Sequence, residues 1–250
     1  WPGAKAFLLV TVAMVAVRSF AMAFNRLADL DIDRKNPRTK DRPLVTGEMG
    51  QGAAWGLTAG TSALFVLACA AMNPLALTLS PVALGIAAAY SLTKRFTWLC
   101  HFVLGMTLGL APLGGWIAVR PEFTLAGVLL ALGVTFWVAG FDILYSCQDE
   151  AFDKAEGLHS LPADFGVATA LTLSSFCHVQ TALLFLLAGW AAGAGVVYFA
   201  ALAVVGVILV AEHLLIKPGD LSEVNMAFFT LNGVIALAVL AAVILDLALT

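Results

Sequence analysis

Residues 3–43 read GAKAFLLVTVAMVAVRSFAMAFNRLADLDIDRKNPRTKDRP, an almost uninterrupted apolar run that ends at Asn25 in a burst of charge. From 25 to 43 the segment carries four carboxylates and six Lys or Arg side chains. The apolar part is long enough to cross a hydrocarbon core, which takes about 20 helical residues. The charged part therefore stands at a membrane surface.

The rest of the chain repeats the apolar half of this pattern. Hydrophobic residues make up 61% of the 250 positions and charged ones only 12%, with a mean hydropathy of +0.96. Soluble domains carry about 25% charged residues, so this composition excludes them. Further apolar runs at 53–72, 75–92, 98–118, 124–145, 167–191, 195–216 and 226–248 bring the expected spans to eight. None alternates polar and apolar residues as a transmembrane barrel strand does. The fold class expected is all-α, a polytopic transmembrane helix bundle formed by the whole chain, 1–250, as one domain.

Cations set the expected orientation. Ten of the thirteen Lys and Arg fall at alternate loops: Arg26, Arg34, Lys35, Arg38, Lys40, Arg42, Lys94, Arg95, Lys154 and Lys217. Lys5 and Arg120 lie at the other face, so the positive-inside rule makes the first set cytoplasmic. Arg18 stands alone within the first span, where a cation is costly and faces an ion pair or a functional cavity. The chain starts at Trp1 without an initiator Met or signal pattern, which reads as a fragment lacking its N-terminus. Cys69, Cys100, Cys147 and Cys177 show no C-x-x-C spacing and read as packed thiols.

Chemistry concentrates in two stretches that echo each other. Asn25, Asp29 and Asp33 recur every four residues, as do Tyr145, Asp149 and Asp153 in DILYSCQDEAFDK (142–154), with Asp142 preceding them. Spacing of i, i+4, i+8 lines one helix face. The likeness suggests an internal repeat of about 120 residues. Two carboxylate stripes brought together repel unless a cation intervenes, and hard oxygen donors suit Mg²⁺, which fills its remaining positions with water and phosphate oxygens. Arg38, Arg42, Lys94 and Arg95 are placed to neutralise a diphosphate. Asp31, Asp41 and Glu150 fall off the stripes and read as solvated.

With N-x-x-x-D-x-x-x-D followed by RTKDRP, then YSLTKRFT, then DILYSCQDEAFD in that order, the chain resembles the UbiA superfamily of intramembrane aromatic prenyltransferases. The resemblance covers essentially the whole chain. It implies nine helices around a central cavity open to the cytoplasmic side, the first family helix being absent here, in a multi-pass protein of the inner cell membrane. It implies Mg²⁺ as cofactor, held by Asn25, Asp29, Asp33, Asp149 and Asp153 with Tyr145 alongside. Arg38, Arg42, Lys94 and Arg95 would bind the diphosphate, and Asp142 and His159 would contact the acceptor. The partners implied are an isoprenyl diphosphate, a small aromatic acid and the lipid bilayer, with no nucleic acid. The reaction implied is polyprenyl transfer to 4-hydroxybenzoate or a dihydroxynaphthoate in ubiquinone or menaquinone synthesis, with diphosphate released.

Two positions depart from the pattern. Arg26 stands where ubiquinone-pathway members commonly carry Asp, and His159, in GLHSLPADFG, stands where they carry Lys or Arg. With both, the chain resembles more the menaquinone branch, with a dihydroxynaphthoate acceptor, or a divergent hydroxybenzoate branch. Phe24, Tyr90, Trp116, Phe141 and Tyr145 could face an allylic cation. His101, His178 and His213 read as lone hydrogen-bonded residues. A secondary transporter also uses repeats and intramembrane carboxylates, but its site lies near the midplane, whereas these stripes lie at one face. A phospholipid-type phosphotransferase would carry D-G and A-R elements that are missing.

Overall fold

A computed structural model describes residues 2–217 and 219–249, which are helical apart from turns and one isolated bridge between Lys217 and Asp220. Among the described residues eight helices have the length and apolarity to cross a membrane, matching the eight runs. The chain divides into two compact units, residues 1–93 with 110–123 and residues 94–109 with 124–250.

The first unit is built on α1 (Ala4–Ala28), α4 (Gln51–Met72) and α5 (Pro74–Thr93), with the short α2 (Leu30–Lys35) and α3 (Pro43–Thr46) between the first two. α1 packs on α4 and α5. Their contact is made by Ala13, Ala16, Phe65, Ala68 and Ala76. Without a hydrophobic drive inside lipid, helices associate through close van der Waals fit, and alanines permit it. Asn73 ends α4 and starts α5: its Oδ1 accepts from Ala76 N at 2.9 Å, and Pro74 follows where a missing N–H costs nothing. Its Nδ2 donates to Ile117 O at 2.9 Å, on α6 (Cys100–Val119), whose second half belongs to this unit.

In the second unit α7 (Leu125–Ser146) lies against α10 (Val167–Ala192). Glycines make that approach possible. A Cβ on Gly133 would meet Phe185 at 2.5 Å, and one on Gly140 would meet His178 at 2.4 Å. Ser174 Oγ donates to the Gly140 carbonyl at 2.7 Å across the same contact. α11 (Val196–Leu215) packs on α13 (Asn232–Leu249), and Asp246 of α13 accepts from the amides of Gly195 and Tyr198 at 2.6 and 3.2 Å. That carboxylate caps the first turn of α11, whose amides lack intrahelical partners.

The last apolar run is not one plain helix. It opens with α12 (Val224–Met226) and a π-turn over Ala227–Leu231 before α13. Asn232 makes this tolerable: its Nδ2 donates to Ala227 O at 3.1 Å, and its Oδ1 accepts from Trp137 Nε1 at 2.7 Å. Carbonyls released by a wider turn must find partners in the absence of water.

Candidate active site

Both acidic stripes lie at the ends of long helices, and in both the helix breaks at the middle aspartate. α1 ends at Ala28, and Asp29 takes φ −94° and ψ 8° before α2 begins. α7 ends at Ser146, a 3₁₀ turn covers Cys147–Asp149, and Asp149 takes φ −97° and ψ 2° before α8 (Glu150–Glu156). These are bridge-region angles, sparsely populated and frequent at functional positions. The expected continuous helical face is thus corrected to two segments hinged at Asp29 and at Asp149. The two stretches share this local geometry as well as their sequence pattern.

In the first unit, Asn25 Nδ2 donates to Asp29 Oδ2 at 2.8 Å. Asp33 is buried, and Arg42 Nη1 reaches both of its carboxylate oxygens at 2.6 Å. A buried carboxylate demands such a partner. Arg42 is delivered by a loop that Asn36 and Thr39 shape: Arg38 N donates to Asn36 Oδ1 at 2.9 Å, and Thr39 Oγ1 to the Asp33 carbonyl at 3.1 Å. Pro43 then starts α3, holding Arg42 in extended backbone (φ −68°, ψ 141°). Arg38 is exposed in the same loop. Asp31 pairs at the surface with Arg34 at 3.0 Å, as its place off the stripe implied.

The second unit repeats the arrangement with other residues. Asp153 is fully buried, with Lys94 Nζ 2.7 Å from Oδ1 and Ser160 Oγ donating to Oδ2 at 2.9 Å. Asp149 is 8% exposed, and Glu150 pairs with Lys154 on the surface at 2.7 Å. Arg95 is exposed beside Lys94. Tyr145 lies against Phe228, ring centroids 4.2 Å apart, and near Phe229 at 6.2 Å. Phe141 also meets Phe228, at 5.3 Å, and Trp137 at 6.0 Å. Trp137, Phe141, Tyr145 and Asp149 therefore form an i, i+4 series leading to the carboxylate; the aromatic half of that series was readable in the sequence.

Two acceptor candidates are engaged within the unit. His101 Nδ1 lies 2.7 Å from Asp142 Oδ2, and the Leu161 amide donates to His101 Nε2 at 3.2 Å. An amide can only donate, so Nε2 is the bare nitrogen and Nδ1–H points at Asp142. His159 Nδ1 lies 3.0 Å from Asp164. The histidines expected to be hydrogen-bonded are so, two of them to each other. His213 Nε2 is 2.9 Å from His178 Nδ1, which is also 3.5 Å from the buried Glu212. Of the aromatic candidates in the first unit, Phe24 packs on Phe20 and Trp55. Arg18 is exposed and makes no ion pair with another described residue.

Among the described residues no three His, Cys, Asp or Glu side chains already converge on a cation position. The donors in the stripes are nevertheless all oxygens, of amide, phenol or carboxylate, and hard oxygen donors suit Mg²⁺. Of the buried stripe carboxylates, Asp33 and Asp153 each face a cation, Arg42 and Lys94.

The sequence matches the UbiA prenyltransferase family over residues 1–234, across both units. It is 31% identical over 248 residues to the 4-hydroxybenzoate octaprenyltransferase of Azoarcus sp. (strain BH72), covering 98% of this chain and 85% of that protein. It is 33% identical over 213 residues to the mitochondrial 4-hydroxybenzoate polyprenyltransferase of Drosophila melanogaster, covering 85% of this chain. The chain spans about half the length of that insect relative and of its Drosophila pseudoobscura pseudoobscura counterpart (54% and 53%). The structure of a UbiA homolog from Aeropyrum pernix K1 superposes with a TM-score of 0.89 at 36% identity, covering 98% of this chain and 90% of that one. A UbiA homolog from Archaeoglobus fulgidus bound to GPP and Mg²⁺ shares the fold, with a TM-score of 0.70 at 20% identity over 96% of this chain and 87% of that one.

Proposed function

The chain belongs to the UbiA prenyltransferase family, and from that premise we propose that it transfers a prenyl group from an isoprenyl diphosphate to a small aromatic acid, releasing diphosphate. The observation that carries this reading is the duplicated device: a bridge-region aspartate (Asp29, Asp149) followed one turn later by a buried aspartate holding a cation (Asp33 with Arg42, Asp153 with Lys94). One such device is ordinary. Two, at the ends of two spans, are what a polyanionic leaving group and its metal require.

Asn25, Asp29, Asp33, Asp149 and Asp153 are proposed to hold Mg²⁺, which when bound supplies positive charge to the diphosphate oxygens as the allylic C–O bond breaks. Arg38, Arg42, Lys94 and Arg95 add fixed charge to the leaving group. The faces of Phe141, Tyr145 and Phe228 stabilise the allylic cation. A carbon of the electron-rich ring supplies the electron pair for the new C–C bond, and the ring then loses its proton. The A. fulgidus relative bound to GPP and Mg²⁺ supports the donor class and the ion.

The acceptor proposed is 4-hydroxybenzoate, the compound in the names of the bacterial and insect relatives. A dihydroxynaphthoate is the second candidate, motivated by His159. That imidazole is held by Asp164, so its leverage on ring choice is small. Arg18 is better placed for the acceptor's carboxylate. It lies seven residues before Asn25, on the stripe's helix face and about 10 Å along the axis, exposed and without an ion pair among the described residues.

The whole chain, 1–250, is proposed to act as one prenyltransferase of the inner cell membrane, with its charged ends and cavity mouth on the cytoplasmic side. Incubation in membranes with Mg²⁺, a polyprenyl diphosphate and hydroxybenzoate or hydroxynaphthoate acceptors, read by mass, tests the reading. A carrier reading has one observation on its side, the cluster within the spans of buried Glu212 and His178 with half-buried His213. Prenyl transfer that proceeds without any ion gradient and survives Glu212→Gln excludes it.

A further inference from the structure

Residues 157–161, between the second stripe and α9 (Leu161–Phe165), are tied down at each position from 158 onward. Gly157 makes the turn at φ +66°, a left-handed backbone that suits glycine. Leu158 N donates to Asp153 O at 2.8 Å, and His159 N donates to Lys94 O at 2.8 Å. Ser160 Oγ donates to Asp153 Oδ2 and accepts from Ala163 N at 3.3 Å, so one hydroxyl both caps α9 and fixes the carboxylate. The Leu161 amide is taken by His101 Nε2, whose other nitrogen is fixed by Asp142. Ser160, Asp153 and Leu161 are completely buried and His101 is 2% exposed.

These bonds have a direction of consequence. Asp153 has two oxygens: one faces Lys94, the other Ser160. With Ser160 occupying Oδ2, the carboxylate cannot rotate, and Oδ1 stays aimed at the ammonium. The backbone bond from His159 holds the Lys94 end at the same time. His101 in turn anchors the residue after Ser160. The segment from Leu158 to Ala163 is mostly buried, so its amides need partners, and the partners it has are the second stripe's own Asp153 and Lys94 together with His101.

We propose that Ser160 and His101 are positioning residues for the second acidic stripe: Ser160 sets the rotamer of Asp153 and through it the place of Lys94, and His101 sets the loop that carries Ser160. Neither touches the diphosphate. Both act on how tightly it and its divalent ion are held rather than on the rate of bond breaking. This rests on the assignment of Lys94 and Asp153 to the metal-diphosphate site.

The test is binding of Mn²⁺ in the presence of inorganic diphosphate, followed by electron paramagnetic resonance on the purified chain in detergent, together with donor KM and kcat. Ser160→Ala is expected to weaken Mn²⁺-diphosphate binding and raise the donor KM about tenfold, as befits loss of one buried bond to a charged group, with kcat changed much less. Ser160→Thr, which keeps the hydroxyl, is expected to restore most of the affinity. His101→Leu is expected to match Ser160→Ala, and His101→Gln, whose Oε1 can still accept from Leu161, to fall between. Unchanged Mn²⁺-diphosphate affinity in Ser160→Ala overturns the proposal, as does a Thr variant as weak as Ala. Should Ser160→Ala fail to fold, unchanged affinity in His101→Leu overturns it equally. A wild type that binds Mn²⁺-diphosphate with this dependence on Ser160, yet prenylates no arene, would sink the proposed reaction and leave the clasp standing.

Discussion

Asp29 and Asp149 stand at the points where their helices break, while Asp33 and Asp153 are buried against a cation. The two kinds of aspartate should therefore fail differently. Asp29→Ala is expected to lower prenyl transfer at least about 100-fold with little change in thermal unfolding, since the residue is only half-buried and contributes charge at a bend rather than packing. Asp33→Ala removes the partner of Arg42. It is expected to lower stability by about 1–3 kcal/mol as well as activity, read as a drop in unfolding temperature in detergent. Asp31→Asn is the control: its pair with Arg34 is exposed, so both readouts should stay near wild type, within about 0.5 kcal/mol. An Asp29→Ala protein with near wild-type turnover would remove the stripe from the chemistry. Arg18→Gln is expected to raise the acceptor KM with the donor KM unmoved, and the reverse pattern would assign Arg18 to the donor.

The eight spans and the two stripes were legible in the sequence because each rests on a local signal, a run of about 20 apolar residues or a four-residue repeat. The breaks at Asp29 and Asp149 were not, since helical spacing continues through them and nothing in the residue types marks the bridge-region turn. Nor were the partners of Asp33 and Asp153. Arg42 was one of several basic candidates, and Ser160 lies in a segment whose Ser-Leu-Pro pattern signals a helix start but not a second bond to a carboxylate. His101 and Asp142, 41 residues apart, meet only through the fold. The π-turn before Asn232 escaped because apolar composition is blind to backbone pitch. Helix contact is where element-scale prediction is sharpest. Gly140→Ala drives a methyl into His178 and is expected to destabilise by about 1–3 kcal/mol through overpacking. Gly206→Ala in α11 meets open space and should be neutral or slightly stabilising. Equal effects of the two on the unfolding temperature would contradict the close α7 and α10 contact.

At the scale of the whole molecule, each unit holds one bent acidic stripe whose last aspartate faces a cation, and the family match runs through both. The tail of the proposed donor is apolar, as is the prenylated product, so the proposed joining of that tail to an aromatic acid is served by a bilayer location. The proposed activity needs both units. The most direct measurement is a paired assay in membranes with Mg²⁺, a polyprenyl diphosphate and 4-hydroxybenzoate, following the prenylated arene by mass and inorganic diphosphate by colour, for wild type, Asp29→Asn and Asp149→Asn. Wild type should form the two products at equal rates, and each single substitution, one in each unit, should abolish both. Diphosphate released without a prenylated arene from any acceptor, or arene formation that survives either substitution, would contradict it.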